Sequence, residues 1–179
     1  SDLLIKDAKQ QTIVKLRVMG AHQQLLRLDF DSPAAVKAVE PIKEKFVQLV
    51  AQFDDYVAIN DPKEGALHVK GQLTLGENIA DLGGLTVAYD ALQRDLTNKK
   101  MAAIDGFTQD QRFFMNWATV WRRNFTPDEL KVRLNTDPHS PAAFRANGAP
   151  SNLPAFAAAF SCKAGDGMVR AEDKRVTIW

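Results

Sequence analysis

The segment from Gly76 to Leu85 constrains this chain most, because it sets two acidic side chains among apolar and small ones. Its sequence is GENIADLGGL. If the segment is helical, Glu77 and Asp81 lie one turn apart on the same face. Two carboxylates on a largely apolar helix are costly to bury unless a cation meets them. A divalent metal ion is the simplest such cation, with Glu77 as its ligand and Asp81 orienting another ligand.

A second motif, DPHSPAAFR, occupies residues 137–145. Together the two motifs closely resemble the active-site sequences of the neprilysin-like zinc metallopeptidases, in which D-x-H-S-P-x-x-F-R accompanies the helix of the third zinc ligand. The spacing from Glu77 to His139 is also similar to that of the family. The resemblance covers roughly residues 40–179, where the string FSC and a terminal tryptophan match the end of such a chain. It does not extend to residues 1–30.

The resemblance implies a role for each of five residues. Glu77 would be the metal ligand, and Asp81 would accept a hydrogen bond from a histidine ligand and fix its tautomer. His139 would donate to the oxyanion of the tetrahedral intermediate, while Asp137 would orient that imidazole or favour its charged form. Arg145 would bind a carbonyl group of the substrate peptide, which suits its fork of donors. Asp81, Asp137 and His139 are thus the implied catalytic residues.

Structural alternatives exist for these residues. His139 could cap the short helix that Ser140 and the following proline begin. Arg145 could form an ordinary salt bridge with Asp81 or Asp137. Asn78, at the asparagine position of the family motif, could contact backbone or peptide, or could simply supply polarity near a helix start.

The zinc helix of the family is missing from this sequence. H-E-x-x-H supplies two histidine ligands and the general-base glutamate, but the only histidines are His22, His68 and His139. No two of them are four residues apart. We therefore expect the carboxy-terminal part of a zinc endopeptidase: zinc in the complete enzyme, none bound tightly by this chain alone, and peptides as substrates. The partner would be the missing amino-terminal part. The alternative is an inactive fragment that serves as a binding or scaffold module.

Composition excludes some classes of partner. The chain has 23 Lys and Arg against 22 Asp and Glu, which gives no electrostatic reason to expect nucleic acid. No apolar run approaches the length of a transmembrane helix. The family resemblance implies an extracytoplasmic location, either the bacterial periplasm or secretion. Cys162 is the single cysteine. In animal relatives the matching cysteine lies in a disulfide-rich ectodomain, so a single cysteine implies a bacterial-type member. Without the resemblance, Cys162 is expected to be a small buried apolar residue.

The expected fold is mainly α, as the helical carboxy-terminal lobe of a thermolysin-like (gluzincin) α+β metallopeptidase domain. Residues 1–30 form a segment of unclear origin, in which residues 11–18 could alternate as a strand and residues 25–28 could belong to a helical stripe. Residues 31–179 form the carboxy-terminal part of the catalytic domain. Helices are predicted from Asp31-Ser32-Pro33, with Pro41 starting a second helix or kinking the first, from Glu77 to Leu96, and from Thr108, Thr126, Ser140 and Asn152.

Two local patterns carry further predictions. Gly83 and Gly84 each cost the helix roughly 1 kcal/mol relative to alanine, so another element should approach the backbone there. In the family that element is the H-E-x-x-H helix, although a simple helix crossing is the alternative. The apolar residues spaced as one face between Phe113 and Trp121 predict core packing.

Overall fold

This computed structural model describes residues 14–19, 24–30, 36–99 and 101–178, with side chains from residue 42 onwards. The chain divides into two compact units, the first ending at Glu44 and the second running from Lys45 to Ile178. In the first unit, β1 (Val14–Met19) pairs antiparallel with β2 (Gln24–Phe30). The strand alternative for residues 11–18 therefore holds from Val14, and the helical stripe expected at residues 25–28 is wrong. His22 and the helix start expected at residues 31–33 lie outside the described residues.

Helices dominate the rest of the chain, as predicted. α1 is a single helix that continues through Pro41 and ends in the second unit. The elements that follow the first hairpin are α1 (Val36–Asp54), β3 (Val57–Asp61), β4 (Gly65–His68), α2 (Gly71–Leu96), α3 (Gln109–Val120), α4 (Pro127–Thr136), α5 (Ala142–Gly148) and α6 (Pro154–Ala159), with 3₁₀ turns at Pro150–Asn152 and Glu172–Lys174.

The caps of α3 and α4 explain why these helices begin where the sequence predicts. Thr108 accepts a hydrogen bond from the backbone N–H of Gln111, whose side chain accepts one from the backbone of Thr108. This reciprocal pair satisfies two donors that no helical carbonyl can reach. Thr126 accepts from the N–H of Glu129 in the same way, ahead of Pro127 in the first turn.

The start of α2 differs from the prediction. The helix begins at Gly71, six residues before Glu77. The cause is a tertiary contact: the carboxylate of Asp54, at the end of α1, accepts a hydrogen bond of 2.6 Å from the N–H of Gly71. Lys70, the local cap residue, makes no such bond. A side chain at Gly71 would also collide with the backbone of Val50, so only glycine allows α1 to come this close.

A hydrophobic core lies where α1, α2, α3 and the carboxy-terminal segment meet. Its buried members are Leu49, Phe53, Val69, Leu82, Leu85, Phe114, Leu134, Ala149 and Val176. The aromatic stripe of α3 reaches this core only in part. Phe114 is 3% exposed, whereas Val120 is 65% exposed. The prediction that the whole stripe packs inside is therefore wrong for Val120, which is the last residue of α3.

Candidate functional site

Glu77 and Asp81 both lie on α2, one turn apart, but their environments differ. Asp81 is buried at 9% exposure, on the side of the helix that also buries Asn78 and Leu82. The Glu77 side chain is 39% exposed. The two side chains leave α2 at different angles around the helix axis, and Asp81 points further toward the core than Glu77 does.

A cation does meet the buried carboxylate, and it comes from the chain itself. Arg145, on α5, donates from Nε to Asp81 Oδ2 at 2.7 Å and from Nη2 to Asp81 Oδ1 at 2.6 Å. This bidentate geometry is the strong form of an arginine–carboxylate pair. The guanidinium carbon lies 3.9 Å from the centre of the Trp121 ring, and the indole of Trp117 donates to the backbone carbonyl of Arg145. Arg145 is only 8% exposed.

His139 lies beside the other carboxylate. Its Nε2 is 3.2 Å from Glu77 Oε2, although the two residues are far apart in sequence. Its Nδ1 is 2.8 Å from Asp137 Oδ1. An ionised carboxylate can only accept hydrogen bonds, so Nδ1 donates to Asp137. Nε2 faces Glu77 and donates to it only when both ring nitrogens are protonated. Arg145 Nη2 approaches Glu77 Oε2 to 3.7 Å, which brings all of these groups into one cluster.

Asp137 is held as a charged acceptor. Partial burial acts to raise its pKa, but hydrogen bonds from the backbone and ring of His139, together with Arg133, lower the pKa of Asp137 below its ordinary value overall. Arg133 Nη1 donates to Asp137 Oδ2 at 2.7 Å. Asp137 thus remains available to orient the imidazole at neutral pH.

The two motifs are also joined underneath this cluster. Ser140 donates from Oγ to Asn78 Oδ1 at 2.8 Å, and both residues are 1% exposed. Sequence reasoning left Asn78 open and did not consider Ser140 or Trp121 as part of the site. The available signal was their position in the sequence: Asn78 directly follows Glu77, and Ser140 directly follows His139.

The remaining sequence candidates lie elsewhere. His68 is on β4, where Nδ1 is 2.7 Å from the backbone oxygen of Asp54. Cys162 is a free thiol and partly exposed, so the expectation of a buried apolar residue is wrong. Both belong to the packing of other parts of the second unit.

A zinc ion would find an incomplete set of ligands in the described part of the chain. Among those residues no group of three His, Cys, Asp or Glu side chains is arranged to hold a metal, whereas a catalytic zinc needs three protein ligands. Asp81 has both oxygens engaged by Arg145. The Glu77 side chain is 39% exposed, and its Oε2 faces His139 and Arg145. The described residues therefore fit zinc only as one part of a site.

One face of α2 is uncovered in the described structure. Its residues are small, apolar or acidic: Leu73, Gly76, Glu77, Ala80, Gly84, Val87 and Ala88. Val87 is 54% exposed. No described atom lies within 4 Å of the place a Cβ would take at Gly84. Beside Gly84 a groove of about 220 Å³ opens between α2 and α3, lined by Ala88, Trp117 and Val120 among others. The element expected to approach Gly84 is thus not among the described ones, whereas Gly83 is already buried within the described structure.

The helical fold and the cluster of Glu77, Asp81, Asp137, His139 and Arg145 together define the helical lobe of a thermolysin-like metallopeptidase domain. Comparisons with known proteins agree. Residues 27–176 match the family described as Peptidase family M13. An endothelin-converting enzyme homolog of Locusta migratoria is 38% identical over 135 residues, which are 74% of this chain and 18% of that protein. Neprilysin-3 of Drosophila melanogaster is 35% identical over 147 residues, or 80% of this chain and 18% of the relative.

Solved structures show the same likeness. The zinc metalloprotease Zmp1 of Mycobacterium tuberculosis, determined with an inhibitor, aligns with a TM-score of 0.78 at 37% identity, over 81% of this chain and 22% of that one. PepO from Lactobacillus rhamnosis aligns with a TM-score of 0.63 at 31% identity, over 81% of this chain and 21% of its own. The chain therefore belongs to peptidase family M13, which confirms the resemblance drawn from the two motifs.

The match is to a fraction of each relative. This chain spans only 18% of the length of the two relatives named above. Within the described residues, no helix combines the length and the apolar character that crossing a membrane requires.

Proposed function

We propose that this chain is the carboxy-terminal part of a zinc-dependent endopeptidase, and that it supplies one metal ligand and the groups that bind and stabilise the reacting peptide. The observation that carries the proposal is the convergence of the two motifs. His139 Nε2 lies 3.2 Å from Glu77 Oε2, and Arg145 is bound to Asp81 beside them. Residues from three separate segments have been brought together around one half-exposed carboxylate.

Glu77 is the proposed metal ligand. Zinc, when bound, would polarise the substrate carbonyl and activate a water molecule. The two further ligands and the general base would come from an amino-terminal part that carries H-E-x-x-H. Glu77 suits its role because its carboxylate is half-exposed, while the neighbouring acid is already neutralised by Arg145.

With both ring nitrogens protonated, Nδ1–H on Asp137 and Nε2–H toward the groove, His139 is the proposed donor to the carbonyl oxygen as negative charge develops on it. Its Nδ1 is engaged by Asp137, so the ring is held with Nε2 toward the groove beside Glu77. A donor held in place before the reaction costs no rearrangement, and loss of one such donor typically raises the barrier by about 3 kcal/mol. Asp137 acts through His139 by fixing the direction of the ring.

Arg145 is the proposed binding residue for a peptide carbonyl. Asp81 engages Nε and Nη2, which leaves Nη1 of the guanidinium fork for a substrate. Asp81 therefore has a further proposed task, which is to aim Arg145. Its predicted bond from a histidine ligand remains compatible with this pairing, because a carboxylate has about four acceptor positions.

The uncovered face of α2 is the proposed contact with the amino-terminal part of the peptidase. Glu77 and Gly84 are seven residues apart and share that face. The relatives are several times longer than this chain, so their length includes ample structure to cover it. Gly84 and the groove beside it leave room for a helix backbone to approach closely. The location proposed for the complete protein is extracytoplasmic, by family resemblance.

Zinc analysis separates this proposal from the alternative of an inactive binding or scaffold module. After dialysis against trace zinc, the chain alone should retain no stoichiometric zinc and cleave no peptide. The complete polypeptide, which joins this chain to the proposed amino-terminal part, should retain one zinc and hydrolyse peptides. His139→Ala in that polypeptide should lower kcat more than it changes KM, and Arg145→Lys should raise KM because lysine lacks the fork. One tightly bound zinc in the chain alone, or none in the complete polypeptide, would contradict the proposal.

A further inference from the structure

We propose that Asn78 and Ser140 form a buried clasp that positions the His139 imidazole against Glu77. This inference rests on the proposed function and adds two positioning residues to it. Each member of the clasp directly follows a site residue in the sequence. Ser140 Oγ donates to Asn78 Oδ1 at 2.8 Å, and both residues are 1% exposed.

The clasp is one link in a directed chain of hydrogen bonds that ends on the backbone of Lys70, the cap residue of α2. Asn78 Nδ2 donates to Thr74 Oγ1 at 2.9 Å, and Thr74 Oγ1 donates to the carbonyl of Lys70 at 3.1 Å. Because the Thr74 proton is used on Lys70, its oxygen is free to accept from the Asn78 amide. The amide oxygen of Asn78 is thereby turned toward Ser140. Buried polar groups that are all satisfied in this way hold one geometry strongly.

The contact above the clasp cannot position itself. The His139 and Glu77 side chains are 42% and 39% exposed, and exposed charged pairs hold their geometry weakly. Residues 137–141 lie between α4 and α5 without helix or strand structure. Asp137 fixes the ring of His139 within this segment but does not attach the segment to α2. Ser140 makes that attachment, one residue from the ring.

The clasp should therefore affect the step in which His139 acts. A displacement of about 1 Å in a catalytic group can cost roughly 100-fold in rate. In the complete polypeptide, Ser140→Ala should lower kcat by about 10- to 100-fold, with KM changed less than about twofold and zinc content unchanged, since Arg145 and Glu77 keep their own supports. A parallel loss of zinc, or an unchanged kcat, would overturn the clasp.

Two matched controls separate positioning from general stability. Ser151 is also buried, and its Oγ donates to the carbonyl of Gly148 at 2.8 Å. Ser151→Ala should lower Tm to a degree similar to that of Ser140→Ala and leave kcat within about twofold.

Thr74→Val is a second test variant, for use if Ser140→Ala does not fold. It removes the far end of the hydrogen-bond chain at nearly constant side-chain shape. Thr86 donates to the carbonyl of Leu82 from the same helix, and Thr86→Val should leave kcat unchanged where Thr74→Val lowers it.

A double variant tests whether the clasp acts through His139. If it does, Ser140→Ala should add almost nothing to the kcat loss of His139→Ala, because the ring it positions is already gone. Additive losses would overturn the clasp while leaving the proposed function intact. If His139→Ala leaves kcat unchanged, the proposed function and the clasp are both overturned.

The positioning of the His139 ring can also be tested in the isolated chain, without an activity assay. Nuclear Overhauser contacts between the ring protons of His139 and the side chain of Glu77 should be present in the unmodified chain and in Thr86→Val. They should be lost or strongly weakened in Ser140→Ala. Contacts of full strength in Ser140→Ala would overturn the clasp.

Discussion

The two faces of α2 differ in how complete they are. The covered face buries Asn78, Asp81, Leu82 and Leu85, and each buried polar group on it has a partner. The uncovered face holds Glu77 at 39% exposure and Gly84 with free space above it. The covered face is therefore finished by this chain, while the uncovered one has the features of a contact surface. A single helix thus serves both as core and as the edge of a proposed active site.

The largest expected effect concerns Glu77 on the uncovered face. In the complete polypeptide, Glu77→Ala should remove stoichiometric zinc and peptidase activity. The zinc affinity should fall by more than the roughly 100-fold that loss of an outer hydrogen-bond partner costs. In the isolated chain the same variant should leave the free energy of unfolding within about 0.5 kcal/mol, as is usual for exposed positions.

Metal analysis and chemical denaturation measure the two effects of Glu77→Ala separately. Glu129→Ala, at an exposed acid on α4, is the matched control and should retain zinc. If Glu77→Ala strongly destabilises the isolated chain, the contrast between the two faces is wrong.

The next effect is on the covered face. In the isolated chain, Arg145→Ala should lower the free energy of unfolding by about 3–5 kcal/mol, because it leaves the Asp81 carboxylate buried and unpaired. Arg133→Ala, which removes a half-exposed arginine from its acidic partners, should cost about 1 kcal/mol or less. Urea denaturation of both variants makes the comparison, and Asp81→Asn combined with Arg145→Ala should recover part of the loss. Equal losses of unfolding free energy in the two arginine variants would refute the predicted difference between the buried and the half-exposed pair.

A smaller effect of opposite sign is expected at the glycines. Gly84→Ala should stabilise the isolated chain by about 0.5–1 kcal/mol, since alanine favours the helix and meets no atom there. Gly148→Ala should destabilise it by about 1–3 kcal/mol, because the added Cβ would lie 2.6 Å from Phe53 Cζ. In the complete polypeptide the gain at Gly84 should turn into a loss. Thermal unfolding of both forms decides this, and a gain in both would mean that nothing covers the face closely.

The smallest effect sharpens the contrast between buried and surface charge. Lys131 on α4 pairs with Asp61 and Glu64 of the β3–β4 hairpin. The hydrogen bond from Lys131, followed by those from the backbone N–H groups of Lys63 and Glu64, lowers the pKa of Asp61 to about 2. Because the folded-state pKa lies below the ordinary value of about 4, the charged carboxylate stabilises the fold above pH 4. That contribution should be lost as the pH falls from about 4 to 2.

Asp61→Asn tests this pH dependence, because it keeps an acceptor oxygen and removes the charge. The difference in Tm between the unmodified chain and Asp61→Asn should be greatest above pH 4 and shrink toward pH 2. The pKa of Lys131 is raised, so its own contribution is present through neutral pH and is lost only in strong alkali. A difference that stays constant from pH 5 to 2 would show that Asp61 does not stabilise the fold through its charge.

Much of the fold could be predicted because its causes are local. Thr108 and Thr126 cap helices through residues three positions away, so both starts are visible in the sequence. The mainly helical class follows from such signals and from apolar periodicity. The start of α2 could not be predicted, because Asp54 supplies the cap from the end of another helix. β2 was missed since three leucines fit a strand and a helical stripe equally well over so short a span.

The candidate site divides along the same line. The sequence by itself determined which residues to examine, Glu77, Asp81, His139 and Arg145, because two motifs matched one family, and it determined that a buried carboxylate on α2 needs a cation. Only the tertiary structure decided that this cation is the Arg145 guanidinium and that Glu77 stays half-exposed. The physical reason is that charge compensation acts over a few ångströms in space, and distances between separate segments are set by packing.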